Sequence, residues 1–161
     1  MKGKGLYIIA HNIRSAHNVG AIFRTCDGAG VDKIYLTGYT PVPALEEAIE
    51  KTKAEKMLEK TALGAEASVL WESAKELLPI ISDLKKAGVR IVALEKTATS
   101  VDLKKFQPVF PIALILGNEV EGVDEEILTL CDTIIDIPMR GKKESLNVSV
   151  AAGIAIYEIL G

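Results

Sequence analysis

Ile112-Ala113-Leu114-Ile115-Leu116-Gly117-Asn118-Glu119-Val120-Glu121-Gly122-Val123 is the stretch from which the fold can be worked out. Five apolar residues in a row, with no polar break, describe a strand covered on both faces. That is the strand type found in the middle of a parallel sheet. A glycine follows at once, so the chain turns at the strand's carboxyl end and runs into an acidic loop. Working outward, further β-forming runs occur at residues 5–10, 33–37, 90–94 and 133–137, with a weaker one at 68–71. Helical patterns lie between them. Asn18 is read as the cap of a helix that runs to Asp27 and stops at Gly28 and Gly30. Pro41 and Pro43 break the chain before a charged helix expected over 44–60. Helices are also expected over 73–87, 101–106 with Ser100 as cap, 124–130 and 147–160. Strand–helix alternation from end to end predicts an α/β protein with a mostly parallel sheet flanked by helices. No internal repeat or linker interrupts it, so residues 1–161 read as one domain.

Composition sets the outer limits. The 161 residues are 48% hydrophobic and 25% charged, the balance of a soluble globular protein and too apolar for disorder. No apolar run approaches the roughly 18 to 20 residues that cross a bilayer, and no leader with a cleavage site is clear, so a cytoplasmic protein without membrane contact is expected. Cys26 and Cys131 stand far apart without metal-ligand spacing and read as reduced thiols. His11 and His17 have no partner ligands, so no metal is expected. Net charge is −3, which offers no general attraction to nucleic acid. Basic side chains do gather near the candidate site, at Arg14, Arg24, Arg140, Lys142 and Lys143.

Three segments carry chemistry. The first, His11 to Thr25, spans the end of the first strand and the start of the first helix, the edge where open α/β sheets bind ligands. An amide at Asn18, guanidinium groups and a helix N-terminus all suit a phosphate. Read singly, Asn18 is equally a cap and Arg24 a solvated charge. The second is the loop 117–123. Its glycines allow close backbone approach, and Glu119 and Glu121 can accept from hydroxyl or ammonium groups; an acidic turn favoured by a helix dipole is the other reading. The third, Ile137 to Ala151, is a strand end, a basic glycine-containing loop and a helix start, with Ser145 or Asn147 as a possible N-cap. There is no G-x-G-x-x-G after a strand, no P-loop, no H-E-x-x-H and no G-x-S-x-G. The last helix carries few polar side chains, namely Asn147, Ser149, Tyr157 and Glu158, where a surface helix would show a full polar stripe. A homodimer packed through it is expected.

In this order the three blocks resemble the motifs of the SpoU/TrmH family of RNA 2′-O-methyltransferases. N-x-G-x-x-x-R-T appears as Asn18 to Thr25, G-N-E-x-x-G as Gly117 to Gly122, and I-P-M-x-G-x-x-x-S-L-N-V-S-V-A as Ile137 to Ala151. The third is long and specific, and the three together cover essentially the whole chain. The resemblance implies a SPOUT α/β fold with a trefoil knot near the C-terminus, which hydrophobic patterning alone would not suggest. It also implies bent S-adenosylmethionine as cofactor, bound mostly through backbone groups at Gly117, Ile137 and Leu146, with Leu94, Glu95 and Met139 as further walls. Dimerisation through the last helix is implied as well, in agreement with its composition.

For the chemistry, the resemblance makes Arg24 essential. Arginine is a poor free base, because its pKa exceeds about 12. Its expected role is an electrostatic clamp on an RNA phosphate and the developing alkoxide, with phosphate or water taking the proton. Asn18 would orient the ribose or phosphate; Glu119, Ser145 and Asn147 would fix the ribose and the catalytic loop. Arg14, Arg140, Lys142 and Lys143 are candidate contacts to a tRNA or rRNA. Many relatives carry a further RNA-binding domain or extension that this sequence lacks, so recognition is expected from the dimer surface or a partner protein. The alternatives are a methyltransferase of the same fold acting on another RNA group, and a non-catalytic RNA-binding protein. The intact motifs argue against both.

Overall fold

A computed structural model describes residues 3–161 of the chain. Seven parallel strands form one sheet in the order β3-β2-β1-β6-β4-β7-β5. In sequence these are β1 (Leu6–His11), β2 (Lys33–Thr37), β3 (Trp71–Ala74), β4 (Arg90–Leu94), β5 (Val101–Asp102), β6 (Ile112–Leu116) and β7 (Thr133–Asp136). The helices are α1 (Ala16–Ala29), α2 (Lys53–Ala62), α3 (Ala65–Ser68), α4 (Leu78–Lys86), α5 (Glu125–Leu128) and α6 (Val148–Leu160). As the unbroken apolar run required, β6 lies inside the sheet, between β1 and β4, and every residue in it is buried. Its side chains alternate between two cores. Ile112, Leu114 and Leu116 face a core shared with α1, α2 and α6, whereas Ala113 and Ile115 face α4 and α5. Each buried isoleucine or leucine contributes about 1.5–3 kcal/mol by leaving water. No described helix is long and apolar enough to cross a membrane.

Several elements depart from the sequence expectation. The charged helix begins at Lys53 rather than near residue 44. Thr52 and Glu55 form a reciprocal capping box that the prolines upstream had obscured. The segment ahead of it stays irregular and leaves Leu45 and Ile49 exposed. Residues 65–68, expected partly as strand, form a short helix, and β3 begins at Trp71. Ser73 therefore lies in a strand, because pairing with β2 outweighs its local preference. The following helix starts at Leu78, with a proline in its first turn where no N–H is needed. Ser100 caps no helix. Val101 and Asp102 pair with β7, and Asp102 caps a single 3-10 turn over Leu103–Lys105. The helix expected over 124–130 is only α5.

The first helix is also longer and differently capped. Ser15, not Asn18, is its N-cap, accepting from the Asn18 N–H at 3.2 Å. Gly30, in the left-handed region at φ 74°, ends it. Gly20 sits on the face of α1 that meets α2. A Cβ there would stand 1.9 Å from Thr61 Oγ1 and 2.2 Å from the Leu58 carbonyl oxygen. The second atom is backbone and cannot swing away. We therefore expect Gly20→Ala to destabilise the protein by about 1–3 kcal/mol in urea denaturation, because overpacking exceeds the gain in helix propensity of about 1 kcal/mol. Gly141→Ala, which meets open space, should leave the midpoint unchanged.

Candidate active site

The carboxyl ends of β4, β6 and β7 open into loops that enclose a cavity of about 450 Å³, within the roughly 300–1,000 Å³ range of small-molecule and cofactor sites. Leu94, Glu95, Gly117, Ile137, Met139 and Leu146 all line it, together with Glu119 and Ser145. These residues come from three loops far apart in sequence. They meet because parallel strands send all their carboxyl ends to one edge.

The loop after β6 organises the others. Asn118 and Gly122 exchange backbone hydrogen bonds of 3.1 and 2.9 Å, closing the loop on itself. Gly117 lies so near this closure that a Cβ would meet Gly122 backbone atoms at 2.5 Å. The Asn118 side-chain oxygen accepts from the N–H groups of Val120 and Glu121, and its amide nitrogen donates to the Asn12 carbonyl and the Tyr39 hydroxyl. The Glu119 carboxylate accepts from the Arg14 and Ser15 N–H groups at 3.1–3.4 Å. Glu95 reaches across from β4 and accepts from the Val123 N–H at 3.0 Å. Its second oxygen accepts from the Lys96 N–H. Glu119 and Glu95 thus tie neighbouring loops to this one, the former through the cap of α1.

Other expected site residues have separate places. Asn18 is buried in the first turn of α1, and its oxygen accepts from the Asn147 amide at 3.2 Å. Asn147 is the N-cap of α6, with its oxygen bound to the Ser149 N–H and hydroxyl. This pair joins the first and third motifs. Arg24 is exposed on α1 and does not line the cavity. Its neighbour Thr25 packs near Gly153 of α6. Arg14, Lys142 and Lys143 are exposed; Arg140 edges a smaller hollow with Asp102, Lys104 and Glu158. Neither ion pair found among the described residues, Lys33–Glu72 or Lys51–Glu59, involves them.

Sequence reasoning passed over Asn118, Asn12, Tyr39 and Asp136. Asn118 stood inside the second motif, and an asparagine at a strand's end is a common signal for the left-handed conformation that Asn12 adopts at φ 53°. Asp136 ends β7, lines the cavity and accepts from the Ser100 hydroxyl. Burial holds the His11 imidazole below its usual pKa range, with Asp124 partly opposing, so its neutral form is favoured. Its Nδ1 lies 2.8 Å from Thr37 Oγ1.

The cavity is strongly acidic. Glu95, Glu119, Glu121, Glu125, Asp136 and Glu144 line it against one cation, Lys96. Such a lining suits a ligand with positive charge, and the backbone approach guarded by Gly117 and Gly122 suits recognition by main-chain groups. A sulfonium cofactor with an ammonium group fits both.

A parallel α/β domain with its ligand cavity at the carboxyl edge, built from loops after three strands, is the class these features define. The SpoU rRNA methylase family matches residues 5–157, and the chain belongs to that family. A tRNA (guanosine(18)-2′-O)-methyltransferase of Aquifex aeolicus is 36% identical over 96% of this chain and 68% of the relative. A 23S rRNA (guanosine-2′-O-)-methyltransferase RlmB of Ralstonia nicotianae is 32% identical over 98% of this chain and 59% of the relative. The chain thus spans roughly two thirds or less of these relatives' length. The crystal structure of an AdoMet-bound rRNA methyltransferase from Sinorhizobium meliloti superposes with a TM-score of 0.82, at 26% identity over 98% of this chain and 56% of that one.

If the closed loop shapes the cavity, Gly117→Ala must open it. We expect this variant to remain folded by circular dichroism and to bind S-adenosylmethionine at least tenfold more weakly in calorimetry.

Proposed function

We propose that this chain transfers a methyl group from S-adenosylmethionine to a ribose 2′-hydroxyl of a tRNA or rRNA. One observation carries the reading: the six residues assigned to the cofactor, drawn from three separate loops, line one acidic cavity together with Glu119 and Ser145. Leu94, Ile137, Met139 and Leu146 give it apolar walls, and Glu95 and Gly117 hold the loop that closes it. When bound, the cofactor supplies a methyl group already activated on a sulfonium. The protein has then to position the hydroxyl in line with that methyl and to deal with one proton. Ser145 and Glu119, which line the same cavity, would fix the ribose. Asn147, held by Asn18, fixes the loop that carries Ser145.

Arg24 does not reach its own chain's cavity, and the exposed face of α6 offers a reason. Val150, Ile154 and Tyr157 leave a contiguous apolar stripe in solvent on that helix. A second copy seated there forms the expected homodimer. Thr25, next to Arg24 on α1, stands near Gly153 of α6, so Arg24 would act on the partner's cavity, clamping a phosphate and the developing alkoxide. Arg14, Arg140, Lys142 and Lys143 would hold RNA phosphates around the mouth.

The test is transfer of tritiated methyl from S-adenosylmethionine to tRNA and rRNA taken from cells lacking the gene. Label recovered as a 2′-O-methylnucleoside after digestion is expected; label on a base would favour the other methyltransferase reading, and no transfer would leave only RNA binding. Arg24→Ala should lower turnover at least a hundredfold with cofactor affinity unchanged. Ile154→Asp should convert a dimer to a monomer in analytical ultracentrifugation, and a wild-type protein that sediments as a monomer at micromolar concentration would remove the dimer. Each phosphate contact removed, for example by Lys142→Gln, should reduce the slope of log affinity against log salt by about one.

A further inference from the structure

Tyr39 lies on the loop after β2, outside all three motifs. It is 56% exposed, yet it is fastened at both ends. Its N–H donates to Asn12 Oδ1 at 3.2 Å, and its hydroxyl meets Asn118 Nδ2 at 2.8 Å. Gly38 beneath it adopts φ 66°, and a Cβ there would strike Asn12 Oδ1, so the loop is pinned from below as well. An aromatic side chain this exposed is normally free to turn. Here it is held rigidly beside Asn118, a residue of the cavity wall.

The direction of the Tyr39–Asn118 bond follows from the rest of the network. Two backbone N–H groups donate to Asn118 Oδ1, which fixes the amide's orientation. The nitrogen is therefore the donor, with one hydrogen on the Asn12 carbonyl and the other on the Tyr39 oxygen. Tyr39 accepts in this bond. Its own hydroxyl proton has no acceptor among the described residues, and accepting from Asn118 makes that hydroxyl a better donor. Beside the cavity, next to its wall residue Asn118, the protein thus presents a rigid aromatic ring with an uncommitted donor; exposed Arg14 adjoins the same loop through its backbone bond to Glu119.

We propose that Tyr39 contacts the RNA substrate directly, its ring stacking on a base and its hydroxyl donating to a nucleotide oxygen at the cavity mouth. Stacking on an aromatic ring and hydrogen bonding from its tip are the usual means of holding an unpaired nucleotide. The cavity wall itself is acidic and would repel phosphate. A base on Tyr39 would keep the sugar at the mouth while the phosphates face Arg14.

This inference rests on the RNA-methylation reading, and two variants separate their failures. Tyr39→Leu removes ring and hydroxyl; Tyr39→Phe keeps the ring. With tRNA and rRNA as methyl acceptors, Tyr39→Leu should raise the RNA KM roughly five- to tenfold, and Tyr39→Phe about two- to threefold. Both variants lose the Asn118–Tyr39 bond, so calorimetry should find S-adenosylmethionine affinity lowered by a similar small factor in the two. The larger RNA KM of Tyr39→Leu then reports the ring, which a mere loop strut would not show. An unchanged RNA KM in Tyr39→Leu overturns the contact, as does equal loss of cofactor affinity in both variants with RNA binding intact. Anisotropy of a fluorescein-labelled, mixed-sequence single-stranded RNA of about 12 nucleotides is the second readout. Binding that depends on Tyr39 without methyl transfer supports the contact and removes the reaction. Methyl transfer indifferent to Tyr39 keeps the reaction and removes the contact.

Discussion

The reciprocal bond pair between Asn118 and Gly122 is the constraint on which the site depends. It closes a loop of five residues, 118–122, one residue past the end of the most buried strand. Everything that must be placed accurately is fastened to that loop. Glu95 brings the exit of β4 to it, Glu119 brings the N-cap of α1, and Asn118 brings the turns after β1 and β2. Each fastening is a side-chain carboxylate or amide bonded mainly to backbone, so the geometry is set by main chain rather than by flexible tips. Asn118 and Glu95 are half-buried and Glu119 is exposed, and their partners come from four different strand ends.

The sheet explains why those partners are available. Parallel strands deliver all their carboxyl ends to one edge, and the central place of β6 puts its loop in the middle of that edge. Acidic residues accumulate there without an ion pair to neutralise them. On the proposed reading, such a lining implies that the cofactor cavity and the RNA surface are distinct. The carboxylate residues line the cavity, where a cationic cofactor would sit, and the basic residues stand exposed on outer loops and on α1.

Much of this was legible in the sequence, for identifiable reasons. The five apolar residues of β6, short and followed at once by glycine, read as an interior strand, and that glycine marked the turn. The six cavity residues came from the family resemblance, four of them inside its motifs, and not from hydrophobic period. Where reading failed, long-range pairing had overruled local preference. Ser73 has a helical neighbourhood yet pairs with β2; Val101 and Asp102 pair with β7 rather than form a helix. Asn18 looked like a cap because it lies near the true one, Ser15. The Thr52–Glu55 box was readable, but the prolines at 41 and 43 drew the helix start to residue 44. Threading of the chain leaves no periodic trace, which is why a knot entered only through the resemblance. Tyr39 belongs to no motif, and only the hydrogen-bond directions around Asn118 draw attention to it.

The order of the strands has a consequence for how the chain is made. Leu6 pairs with Ile112, roughly a hundred residues later. As synthesis proceeds, β1 can join β2 and β2 can join β3, yet the inner edge of β1 has no neighbour until β6 has emerged. Apolar side chains meant for the deepest core, among them Ile8 and Ile9, wait beside an open strand edge during that interval. Long-range parallel pairing of this sort is slow to form and exposed to aggregation. The placement that gives the finished protein its best-protected strand thus leaves the nascent chain with its most vulnerable edge.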